Sequence, residues 1–77
     1  MQQALQVHCK SIKDVENFVN ITERLPYDIN LYKGNTCIDG KSFMGLIYTL
    51  PLMPLYVDVH AQHIMDFAAH CQDYITE

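Results

Sequence analysis

Apolar and polar residues alternate over residues 4–9 (ALQVHC), which predicts a half-buried strand with Leu5, Val7 and Cys9 inward. The period then lengthens. Ile12, Val15, Phe18, Val19 and Thr22 recur at helical spacing, Ser11 and Asp14 give a capping signal, and Pro26 marks an exit, so a helix is expected over 11–24. Alternation returns in YDINLY, with Ile29 and Leu31 on one face. A turn about Lys33, Gly34 and Asn35 joins it to TCID (36–39) as a hairpin. Asp39-Gly40 signals another turn, and Ser42 opens a short apolar helix that ends near Leu50, because Pro51 disfavours helical geometry in the residue before it. LYVDVH (55–60) is dense in strand formers. In the last segment Ile64, Phe67, Ala68, Cys71 and Ile75 share one helical face, which predicts an amphipathic helix running nearly to the end. The order strand, helix, strand, strand, helix, strand, helix gives an α+β two-layer domain with helices on one face of a sheet.

Composition narrows the function classes. The 77 residues suffice for one domain, 1–77, and 49% of them are hydrophobic, as in a globular chain. No run reaches the roughly 20 apolar residues of a membrane helix; the nearest, Phe43–Val57, is broken by Pro51 and Pro54. The first ten residues lack a basic region followed by an apolar core, so the expected compartment is the cytosol. Cys9, Cys37 and Cys71 are odd in number, without C-x-x-C spacing, and read as small buried thiols. A net charge of −4, with the basic residues spread out, argues against a nucleic-acid surface.

The element order together with GKSFMGL (40–46) resembles the histidine-containing phosphocarrier protein (HPr) family of the bacterial sugar phosphotransferase system. Lys41, Ser42, Phe43, Met44 and Gly45 match the family's Lys-Ser-Ile-Met-Gly-type stretch at the start of its second helix, with Phe43 for the branched apolar residue. DINLYKGNTCIDGKS (28–42) resembles the family's strand-turn-strand approach to that serine, without a gap. The resemblance spans about residues 4–75. It implies an open-faced sandwich, β-α-β-β-α-β-α, with an antiparallel four-stranded sheet in order 1-4-2-3 and three helices on one face. The family transfers phosphate on a histidine in a Gly-Ile/Leu-His-Ala-Arg-Pro stretch at the start of helix 1. Counting back from Ser42 puts Ser11 at that histidine, Lys13 at the arginine and Asp14 at the proline, and none of the three matches. The resemblance therefore points to a regulatory or binding module, without enzyme activity of its own, rather than to a carrier.

Ser42 reads as an N-cap, worth about 1 kcal/mol. By resemblance it is also the serine that a dedicated kinase phosphorylates, and a phosphate at a helix N-terminus meets unpaired N–H groups. Lys41 would help neutralise that charge. Phe43, Met44 and Ile47 correspond to the family's docking patch, with Leu46 and Leu50 facing the core; the alternative is that all of them are core. His8 is an outward strand residue and a weak candidate phosphoacceptor. His60, His63 and His70 lack a thiol or carboxylate at a metal-ligand spacing, so no metal and no cofactor are expected. The partners implied by the resemblance are proteins: phosphotransferase-system enzymes, a serine kinase or a transcription regulator. No nucleic acid or membrane insertion is expected, and the chain is expected to be a monomer with weak self-association at most. Two alternatives stay open: a working phosphocarrier using His8, and a small structural domain whose helix 2 patch is a self-interface.

Overall fold

Ser11 opens the first helix through its own chemistry. Its backbone is extended and its hydroxyl accepts the Asp14 N–H at 3.2 Å, while the Asp14 carboxylate accepts the Lys10 N–H at 2.8 Å. Donors that a helix start would leave bare are thereby satisfied. The computed structural model describes residues 5–76; Ala4, where the alternating pattern begins, lies outside the described residues. Helix α1 spans Ile12–Thr22. It stops short of residue 24 because the Arg24 and Leu25 N–H groups turn to carbonyls three residues back, Ile21 and Thr22, at 3.1 Å each.

Five strands form one antiparallel sheet in the order β3-β2-β4-β1-β5: β1 Gln6–Val7, β2 Asn30–Lys33, β3 Thr36–Asp39, β4 Leu55–Asp58 and β5 Ile75–Thr76. The β2–β3 register pairs Lys33 with Thr36 and leaves a two-residue loop. Gly34 takes φ +60° there, and among the described residues no other residue type has positive φ. Glycine at the first central position is the requirement of a type II′ hairpin turn, whose twist matches that of the strands.

Strand alternation sorts the two faces. Val7, Leu31 and Leu55 are fully buried on one face, with Ile38, Val57 and Ile75 packed beside them. The same cluster takes Val15, Phe18 and Val19 from α1, Leu46 from α2 (Phe43–Tyr48) and Phe67 from α3 (Ile64–His70). All three helices therefore cover that face. Lys33, on the same side as Leu31, donates its ammonium to the Leu52 carbonyl at 2.8 Å. The opposite face stays open, with Tyr32, Cys37, Asp39, Asp58 and Thr76 exposed. Among the described residues every buried side-chain nitrogen or oxygen has a hydrogen-bond partner, and no helix is long and apolar enough to cross a membrane.

Three expectations are corrected. The four-stranded sheet is five-stranded, and the last helix does not run nearly to the end. Helix α3 stops at His70, a 3₁₀ turn follows over Gln72–Tyr74, and Ile75–Thr76 pair with Val7 and Gln6. The outer edge of β1 would otherwise carry unpaired backbone groups. The β-branched Ile75 and Thr76 suit a strand, and the His8 N–H extends the pairing to the Tyr74 carbonyl at 2.8 Å. The second helix is also shorter than expected, ending at Tyr48, with Pro51 inside a 3₁₀ turn over Leu50–Leu52.

Candidate functional site

Helix α2 is presented by a turn that the end of α1 holds in place. The Gly40 N–H donates to the Ile29 carbonyl at 2.7 Å, and the buried Thr22 hydroxyl donates to the Gly40 carbonyl at 2.9 Å. The Lys41 N–H donates to the Asp39 carboxylate at 2.9 Å. Its ammonium donates to the Leu25 carbonyl at 2.8 Å. Ser42 follows with extended backbone, and its hydroxyl accepts the Gly45 N–H at 3.2 Å, so it caps α2.

Beyond that cap, Leu46 is fully buried while Phe43, Met44 and Tyr48 are 38%, 74% and 85% exposed. Leu52 extends this surface at 40%. From Ser42 to Val57 there is not one charged side chain. Two of the expected patch residues sit partly inward. Ile47 is half-buried and packs against the core, because it shares a helix side with Leu46 and Leu50. Lys41 faces the end of α1 and belongs to the turn. Tyr48, not among the expected patch residues, is the most exposed side chain of α2.

The start of α1, which the resemblance sets against a phosphotransfer histidine, holds helix-start chemistry. Ser11 and Asp14 are committed to capping, and the Lys13 ammonium lies 3.1 Å from Glu16 on the helix surface. His8 is half-buried just past β1, on the parity of the open face.

Cys9 and Cys71 are buried, and Cys37 is exposed, which corrects the reading of all three as buried. Burial first, then Asp14, pushes the Cys9 thiol up from 9.0 to about 12, and burial first, then Cys9 and Asp66, does the same to Cys71. We expect a thiol reagent to modify only Cys37 in the folded chain and the other two on unfolding. Above about pH 9 the unfolded thiols release protons that the folded ones retain. Stability therefore falls as pH rises from about 9 to 12, read as a declining urea midpoint that Cys9→Ser and Cys71→Ser flatten.

His60 and His63 lie together, their ring centroids 6.1 Å apart. His63 stacks on Tyr27 with ring centroids 4.3 Å apart and planes 3° from parallel. The Tyr27 hydroxyl donates to Asp66 at 2.8 Å; burial first, then this bond, holds the phenol above its ordinary value. The His60 Nδ1 accepts the Gln62 N–H at 3.1 Å, and the His70 Nδ1 lies 2.9 Å from the Asp66 carbonyl. Among the described residues no three His, Cys, Asp or Glu side chains are grouped to hold a metal. An open cleft of about 480 Å³ lies here, lined by Pro26, Tyr27, Asp28, Asn30, Asp58, His60 and His63. The sequence reading missed it; the alternation of Asp28 with Asn30 and of Asp58 with His60 is the signal that could have found it. Comparison with protein-family models, with curated proteins and with solved structures finds no match to this chain.

Proposed function

We propose that the chain is a non-catalytic interaction module that docks a partner protein through α2, with Ser42 as a phosphorylation-sensitive position at the edge of the contact. The observation that carries this reading is the exposure of Phe43, Met44 and Tyr48 together on one six-residue helix, beside a serine cap and within an uncharged stretch. A small domain gains nothing in its own stability from exposing these side chains, and methionine adapts well to a partner's surface. A phosphate on Ser42 would add about two negative charges to that apolar surface. It would also compete for the Gly45 N–H that the hydroxyl now accepts.

A distant relation to the HPr family is part of the proposal. The neighbours β1-β4-β2-β3 within the five-stranded sheet and the Ser42 cap on α2 support it. The same relation suggests a regulatory partner of the sugar phosphotransferase system. Helix-start chemistry at Ser11, Lys13 and Asp14 favours a module over a carrier. The carrier alternative requires an acid-labile phosphate that His8→Ala removes; the structural alternative requires a dimer that Phe43→Asp dissolves. The docking reading is tested by crosslinking from Tyr48 with and without Met44→Asp.

A further inference from the structure

The open face of the sheet carries an ordered chemistry of its own, independent of α2. The strand registers put Asp39, Asn30 and Asp58 side by side in one cross-strand row. The next row on the same face is Cys37, Tyr32, Tyr56, Gln6 and Thr76. Tyr32 and Tyr56 stack at 5.6 Å between centroids, 30° from parallel, on the two central strands β2 and β4. Tyr32 is 39% exposed. The acidic row runs on into the cleft, where Asp28 joins Asn30 and Asp58 and the stacked Tyr27–His63 pair forms a wall.

No lysine or arginine occupies either row. Lys33, the one basic residue of β2, β3 or β4, lies on the helix side and is bound to the Leu52 carbonyl. Asp28 and Asp58 make no ion pair among the described residues. The face thus offers aromatic rings beside unneutralised carboxylates. That combination suits a planar cation, which stacks on a tyrosine ring and bonds a carboxylate through two parallel N–H groups. A lysine ammonium lacks the plane, and a phosphate backbone is repelled. We propose that this open face docks an arginine-bearing segment of another protein, with guanidinium groups over Tyr32 and Tyr56 and against Asp58 and Asp39.

The test is a titration of the full chain, isotope-labelled, with a blocked Arg-Ala-Arg peptide followed by amide NMR. Saturable shifts are expected at Asn30, Tyr32, Tyr56 and Asp58. Affinity should fall about tenfold for the citrulline peptide, and also for Asp58→Asn and Tyr56→Leu. Asp58 is exposed, so its variant reports on binding even where Tyr56→Leu loosens the sheet. Met44→Asp should change nothing, which separates this face from α2. The proposal is overturned by an absence of saturable shifts on this face, by equal binding of the citrulline peptide, or by a neutral oligosaccharide binding there more tightly than the arginine peptide.

Discussion

Phe18→Ala is expected to remove a large share of the stability of the chain. Phe18 is fully buried on α1 and meets Phe67 of α3 and Tyr74 of the 3₁₀ turn edge-on, at 6.3 Å and 5.8 Å between centroids. One ring therefore ties α1 to both parts of the C-terminal segment, including the turn that delivers β5 to β1. Truncating a buried phenylalanine costs about 3–5 kcal/mol, against roughly 4–12 kcal/mol for the whole of a domain this size. The urea midpoint followed by circular dichroism should collapse, with Phe18→Leu losing less than about 1.5 kcal/mol by filling most of the volume. A Phe18→Ala midpoint close to the parent's would contradict this account of the core.

Gly40→Ala is expected to act where the core meets the candidate site. A Cβ at Gly40 would lie 2.5 Å from the Ile29 Cγ2 and 3.1 Å from the Ile29 carbonyl oxygen. Neither atom can yield easily: the methyl branches directly from the Cβ of a buried residue, and the carbonyl already accepts the Gly40 N–H. Overpacking of this kind costs about 1–3 kcal/mol. The movement that relieves it passes to the bonds from Thr22 and Lys41 that hold the turn before Ser42. Amide NMR should show the largest shifts from Asp39 to Gly45. In a double-mutant cycle, Ile29→Ala should offset part of the loss, because it removes the colliding methyl. Strict additivity of the two substitutions would contradict the close approach.

These two sites differ in how far the sequence revealed them. Phe18 stood out because its spacing with Val15, Val19 and Thr22 is the period of a helix, and all four are buried. The hairpin was legible for a similar reason, since Gly34 supplies a conformation that few other residues adopt. Ile75 shows where periodicity fails. Its eleven-residue offset from Ile64 keeps it on a helix face, yet the same residue is equally apolar as the strand partner of Val7, and only the bare edge of β1 decides between them. At α2 the pattern identified Leu46 as core and Met44 as exposed, but not the half-burial of Ile47 or the exposure of Tyr48. A helix of six residues has too few turns to fix its orientation, which the turn bonds to α1 set instead. The cleft and the open-face rows depend on pairing between strands distant in the chain, so Asp39, Asn30 and Asp58 become neighbours only once the registers are known.

Crosslinking from Tyr48 tests the central claim most directly. A photoreactive phenylalanine analogue at this exposed position should leave the core undisturbed. Irradiated in its own cells, the chain should give a discrete adduct with a different protein, lost in Met44→Asp and diminished in Ser42→Asp, with the fold of both variants intact by circular dichroism. An adduct only with a second copy of the chain, or one indifferent to Met44→Asp, would contradict docking through α2.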